Sequence, residues 1–131
     1  MTSSAGEATA ARARAVFHDR GAPSWGRVLA PGFRHCFAAV AAGPCWITAD
    51  ARGGALHVSA VAGATYDLAG FYRRHGFTVV VLMDMVASGR RPPLLAATCV
   101  GATKWLLGIH APFVFTPRQL HRHLVRSGGC G

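Results

Sequence analysis

From residue 33 onward, the chain consists of short apolar runs separated by glycine and proline. Three of them, residues 34–40, 45–49 and 55–61, have the length and composition of strands and are too short for ordinary helices. Gly43-Pro44 and Gly53-Gly54 stand between them as turn signals. Strands joined by such short turns pair antiparallel, so these residues predict a β-meander.

The second half of the chain adds a strand and three helices. A β-branched apolar run at 77–83 predicts the fourth strand. Each predicted helix follows a residue that can cap it: Asp67 precedes 68–75, Thr98 precedes 99–107 and Thr116 precedes 117–126. The order of three strands, a helix, a strand and two helices predicts an α+β fold, in which helices pack on an antiparallel β-sheet.

The length of 131 residues suits one domain, which we expect to comprise residues 25–127. Residues 1–24 are rich in Ala, Ser, Arg and Gly and show little apolar periodicity. They predict a flexible N-terminal tail, helical over 8–20, that contributes little to the core. The Gly-rich residues 128–131, which include Cys130, predict a flexible C-terminus.

Composition excludes a chain that is disordered throughout, because 51% of the residues are hydrophobic and only 15% are charged. The uncharged stretches 36–49 and 53–66 are shorter than the roughly 18 apolar residues of a membrane span. Residues 1–15 lack the apolar centre of a secretory signal. We therefore expect a cytoplasmic protein without a membrane span, whose cysteines are reduced thiols.

The formal net charge of +9 favours polyanionic partners, either an acidic protein or a nucleic acid. The basic side chains are dispersed in four groups: Arg12/Arg14, Arg73/Arg74, Arg90/Arg91 and Arg118/Arg122/Arg126. Nucleic-acid binding would require the last three groups to converge on one face of the protein. Without that convergence they form a solvated surface.

Cys99 is the first candidate for chemistry. If Thr98 caps the helix, Cys99 lies in the first turn, where free N–H groups and the positive end of the helix dipole stabilise a thiolate. The same N–H groups could hold an oxyanion, so one helical turn would supply both a nucleophile and part of its oxyanion hole. The alternative is a small apolar side chain that fills the space between helix and sheet.

His35 is the candidate base, because it lies in a predicted buried strand where an imidazole needs a reason to be present. The alternative is a hydrogen-bonded core histidine. Asp50 could orient the imidazole, or it could be a turn residue before Gly53-Gly54. His57 is a second possible orienting residue, with Thr48 as a further option.

We expect no metal and no cofactor. The sequence contains no Cys-x-x-Cys and no His-x-x-x-His pair. Gly53-Gly54 lacks the lysine and the helix start that a nucleotide-binding loop needs.

Two short segments carry a family resemblance: Phe33-Arg34-His35-Cys36-Phe37, and Thr98-Cys99-Val100 with Trp105-Leu106-Leu107-Gly108. A histidine strand that precedes the cysteine helix resembles the circularly permuted papain-like thiol enzymes, which include permuted NlpC-type and lecithin:retinol acyltransferase-like proteins. A third segment, Thr116-Pro117-Arg118-Gln119-Leu120 followed by His123-Leu124, resembles small proteins found in bacterial and phage genomes. The resemblance covers residues 33–126.

The resemblance implies a permuted papain-like architecture and a cysteine peptidase-like or amidase-like hydrolase, or an acyltransferase. Cys99 would be the nucleophile, His35 the general base and Asp50 the orienting residue, with a peptide, peptidoglycan or other acyl substrate. Cys36 beside His35, and Gly101-Ala102 after Val100, depart from the family pattern. The alternative is therefore an inactive module, such as a phage assembly protein, that binds an acidic partner through its arginines.

Overall fold

The computed structural model of the chain describes residues 11–20, 29–52, 55–85 and 98–129. The strands are β1 (Ala11–His18), β2 (His35–Ala42), β3 (Cys45–Arg52), β4 (Ala55–Gly63) and β5 (Thr78–Met85). The helices are α1 (Leu68–Arg74), α2 (Cys99–Leu106) and α3 (Pro117–Arg126). The α+β class is confirmed. Within the described part of the chain, no helix is long and apolar enough to cross a membrane.

The five strands form one antiparallel sheet in the order β4-β3-β2-β1-β5. The predicted meander is confirmed, since β2, β3 and β4 are neighbours in the order of the chain. After β4 the chain passes through α1 and returns at the opposite edge, where β5 pairs with β1. As a result β1 and β2 lie inside the sheet, each with a partner on both sides.

β1 corrects the prediction for the N-terminal residues. A helical tail was expected there, but Ala11–His18 is a strand, and Ala13, Ala15 and Phe17 are fully buried. The expectation rested on the helix propensity of alanine, which pairing with two neighbouring strands overrides. The domain therefore includes these residues, while 1–10 and 21–24 lie outside the described residues.

β1 is an interior strand that nevertheless carries two arginines, both on the face opposite to the buried alanines. Arg12 and Arg14 alternate with the buried alanines and lie over the Trp46 ring, at 5.3 and 4.9 Å from its centroid. Arg12 also donates to the carbonyl of Ala64 at 2.6 Å. The aliphatic stems cover apolar surface while the guanidinium groups stack on the indole.

Helices cover both faces of the sheet. On one face, α2 and α3 pack on a core that includes Phe17, Cys36 and Val80. On the other face, α1 contributes Leu68, Ala69 and Tyr72 to two smaller clusters. The position of α2 over β2 and β3 sets the geometry of the site, because it places the start of the helix above the start of β2.

All three predicted helix starts are confirmed. The side chains of Asp67, Thr98 and Thr116 accept backbone N–H groups three residues ahead. At the end of α3, Gly129 N–H donates to the Leu124 carbonyl at 2.9 Å. Residues 128 and 129, assigned above to a flexible C-terminus, are thus part of the helix ending, whereas 130 and 131 lie outside the described residues.

Replacement of Phe17 by alanine tests the role of β1. Phe17 is fully buried, so we expect Phe17→Ala to lower the free energy of unfolding by about 3–5 kcal/mol. Urea denaturation measures the change. Phe113, which is 85% exposed, gives a matched control whose replacement by alanine should change stability by less than about 0.5 kcal/mol. A Phe17→Ala variant as stable as this control would contradict the fold.

Candidate active site

Cys99 is the first residue of α2. The Thr98 hydroxyl accepts the Gly101 N–H at 3.0 Å, and the Thr98 carbonyl accepts the Ala102 N–H at 2.9 Å. The N–H groups of Cys99 and Val100 have no acceptor inside the helix, as is general for a first turn. Val100, Gly101, Ala102 and Thr103 are buried against the sheet. Gly101 and Ala102, which depart from the pattern of the resembled family, are thus among the buried residues of α2.

His35 and Asp50 are joined by a short hydrogen bond. His35 Nε2 lies 2.6 Å from Asp50 Oδ1, and Arg52 Nε donates to Asp50 Oδ2 at 2.8 Å. Asp50 lies within β3, so its interpretation as a turn residue is wrong. Since Nε2 donates to Asp50, Nδ1 is the ring nitrogen left for another partner.

Cys99 lies close enough to His35 for each side chain to shift the pKa of the other. Burial alone would lower the pKa of His35. The hydrogen bonds to Asp50 and to Cys99, with the charges of both groups, outweigh burial and raise the pKa to about 9. The structure thus brings together the three side chains that the sequence singled out.

The pKa of Cys99 shifts in the opposite direction, to about 5. The hydrogen bond from the Cys36 side chain is the largest cause. Burial opposes it, and hydrogen bonds from His35 and from the Cys36 backbone add to it. Between about pH 5 and pH 9 the pair therefore holds a thiolate and an imidazolium.

Cys36 is the contact that sequence reasoning missed. Its side chain is fully buried, and its sulfur lies 3.7 Å from the Thr103 hydroxyl. Burial, followed by the neighbouring Cys99, raises the pKa of Cys36 well above its ordinary value. The neutral thiol of Cys36 is therefore favoured, and its proximity stabilises the Cys99 thiolate. The only sequence signal was its place directly after His35.

The other candidate orienting residues lie apart from the His35 imidazole. The Thr48 hydroxyl donates to the Ser59 carbonyl at 3.5 Å. His57 lies exposed on β4, opposite Asp50 in the strand register. Asp50 is the carboxylate that holds His35.

His18 is a second histidine at the site. The sequence predicts a flexible tail for this residue and therefore does not place it near His35. Its ring lies 5.2 Å from that of His35 and stacks on Phe77 at 4.5 Å. Burial, and then the neighbouring His35, lower the pKa of His18 to about 4. Its Nδ1 accepts the Arg20 N–H at 3.0 Å, whereas the buried Nε2 has no hydrogen-bond partner among the described residues. His18 is thus a neutral ring that supports His35.

Two of the arginine groups lie on opposite faces of the sheet. Arg73 and Arg74 end α1, whereas Arg118, Arg122 and Arg126 lie on α3. Arg90 and Arg91 lie outside the described residues. The convergence that nucleic-acid binding requires does not occur between α1 and α3.

Comparison with protein-family models, with curated proteins and with solved structures finds no match to this chain. The site therefore has to be interpreted from its own geometry.

The thiolate predicts an unusual pH profile of alkylation. Iodoacetamide should modify Cys99 with an apparent pKa near 5, well below the ordinary value of about 8.5. His35→Ala removes the imidazolium and should raise this apparent pKa. Mass-mapped labelling in a Cys130→Ser background measures the profile without a contribution from the C-terminal cysteine. An apparent pKa of Cys99 at the ordinary value, or one that does not change in His35→Ala, would contradict a thiolate–imidazolium pair of Cys99 and His35.

Asp50→Asn tests the second contact of His35. The amide keeps the size of the carboxylate but removes its charge, so the pKa of His35 should fall by about 1–3 units from its value of about 9. NMR titration of the ring protons, assigned with a His35→Gln variant, measures this. Asp19→Asn is the matched control, because Asp19 accepts from Gly32 and Arg34 instead. Equal titration in both variants would refute the role of Asp50.

Proposed function

We propose that the protein is a thiol hydrolase or acyltransferase that acts on an amide or ester bond. The observation that carries the proposal is Cys99 beside a His35 ring that is hydrogen-bonded to Asp50 at 2.6 Å. A nucleophile, a base and a group that orients the base are the parts that covalent acyl transfer requires. No metal or cofactor is needed for this chemistry.

The geometry indicates how the reaction would proceed. The Cys99 thiolate attacks the substrate carbonyl, and the N–H groups at the start of α2 stabilise the oxyanion that develops. The His35 imidazolium then gives its proton to the leaving amine or alcohol, which leaves an acyl-enzyme. His35, now neutral, accepts a proton from the attacking water or acceptor, and the Cys99 thiolate departs. Asp50 is a positioning residue that fixes the tautomer and orientation of the imidazole.

A circularly permuted papain-like architecture is the proposed structural class. It is supported by the order of the parts, because the histidine begins β2 and the cysteine begins the later helix α2. The proposed substrate class, a peptide or peptidoglycan amide or another acyl compound, follows from the resemblance of the two motifs.

The inactive interaction module remains the competing proposal, since the chain carries a net charge of +9. That alternative predicts that Cys99 and His35 are buried separately, whereas the enzyme needs them within hydrogen-bond reach in an open cleft. The proximity of the two side chains supports the enzyme.

An activated ester tests the chemistry before the natural substrate is known. With p-nitrophenyl acetate in the Cys130→Ser background, we expect a burst of p-nitrophenolate and one acetyl group on Cys99, detected by peptide mass mapping. His35→Ala should slow hydrolysis of the acetyl group from Cys99 by roughly 10²–10⁴-fold, because the attacking water loses its general base. Successful acylation would justify a panel of peptide and peptidoglycan amides.

Two variants control this experiment. Cys99→Ser should abolish the burst, whereas Cys45→Ser should leave it unchanged, since Cys45 lies at the far end of β3. Absence of acylation in a folded protein, or equal acylation with and without Cys99, would overturn the enzyme and favour the binding module.

A further inference from the structure

A second thiol lies beside the nucleophile, although the proposed reaction needs only one. The Cys36 sulfur is 3.7 Å from the Thr103 hydroxyl, and Cys99 lies one turn before Thr103 on the same face of α2. Cys99 also packs against the core cluster that contains Cys36. Cys36 is fully buried, whereas Cys99 is partly exposed, so a dissolved reagent should meet Cys99 first.

We propose that Cys36 is a resolving thiol, which closes a Cys36–Cys99 disulfide after a hydroperoxide has oxidised Cys99. The disulfide would block the nucleophile reversibly. The inference rests on the proposed function in one respect, because both need a reactive Cys99 thiolate.

The first step consumes the peroxide. The Cys99 thiolate attacks one oxygen of the O–O bond, so an S–O bond forms and the O–O bond breaks. The sulfur loses two electrons and becomes a sulfenic acid, and the departing oxygen takes up a proton and leaves as water or an alcohol. The exposure and thiolate character of Cys99 suit this step.

The second step consumes the Cys36 thiol. The Cys36 sulfur attacks the Cys99 sulfur, the S–S bond forms, the S–O bond breaks and water leaves with the thiol proton. The Cys99 negative charge that opposes ionisation of Cys36 is absent once Cys99 is a neutral sulfenic acid. Both cysteines belong to the packing of α2 on the sheet, so no structural element has to slide past another.

Cys45 cannot replace Cys36 in this reaction. It pairs with Ala42, six residues along β2 from Cys36, which is a separation of about 20 Å. Cys45→Ser is therefore a matched control for the loss of a thiol.

The experiment treats the full chain, in the Cys130→Ser background, with one equivalent of hydrogen peroxide. We expect non-reducing peptide mapping to show a Cys36–Cys99 cross-link, which is lost on treatment with dithiothreitol. Acetylation of Cys99 by p-nitrophenyl acetate should be lost when the cross-link forms and should return after reduction. Cys45→Ser should behave in the same way.

Cys36→Ser separates resolution from oxidation. In this variant the sulfenic acid at Cys99 should persist, be trapped by dimedone and pass to sulfinic acid in excess peroxide, without recovery by dithiothreitol. If the variant does not fold, the cross-link map of the parent chain decides alone.

The outcomes distinguish the two proposals. A Cys99 that is acetylated and oxidised but forms no cross-link to Cys36 overturns the resolving role and leaves the proposed function intact. A Cys99 that reacts with neither iodoacetamide, ester nor peroxide overturns both.

Discussion

The pairing of β1 with β2 and β5 is the constraint on which the site depends. Without β1, β2 would be an edge strand, and its first residues His35 and Cys36 would lose the partners His18 and Phe17. β1 places His18 beside His35 on one face and Phe17 in the core beneath α2 and α3 on the other. The strand thereby supports the imidazole and the helix start at the same time. A sheet interior fixes the positions of both residues more firmly than a loop would.

The chemistry arises from two adjacent residues at the start of β2, which lie within reach of one sulfur. His35 supplies a positive charge and Cys36 supplies a thiol and a backbone N–H, and all of these interactions favour the Cys99 thiolate. Burial acts in the opposite direction, because a thiolate loses solvation when water is removed. The thiolate is stable only while these hydrogen bonds hold. Asp50 acts one step away, because its carboxylate stabilises the imidazolium. Burial would raise the pKa of Asp50, but the hydrogen bonds from His35 and then from Arg52 outweigh burial and lower it.

The sequence was sufficient for features that have a local signal. Asp67, Thr98 and Thr116 cap their helices because the capping interaction spans three residues, and the meander follows from turn residues between short apolar runs. The sequence signal for β1 was weaker. Arg12 and Arg14 alternate with Ala13 and Ala15, as in a strand. Alanine nevertheless favours a helix, and the sequence does not show which strands will pair with this segment. The contacts of Cys36 and His18 are tertiary. They depend on where α2 crosses β2 and on the pairing of β1, and neither can be derived from spacing along the chain.

The low pKa of Cys99 does not by itself accelerate attack on a carbonyl. At pH 7, a shift from about 8.5 to about 5 raises the thiolate fraction roughly 30-fold. The intrinsic nucleophilicity of a thiolate falls with its pKa, and the Brønsted slope of thiol–disulfide exchange, about 0.4–0.5, gives a loss of roughly 25–60-fold over the same shift when applied to a carbonyl. The two effects nearly cancel. The benefit of the arrangement must therefore come from the imidazolium, which stands ready to protonate the leaving group, and from the N–H groups of the α2 start, which act only once the oxyanion has formed.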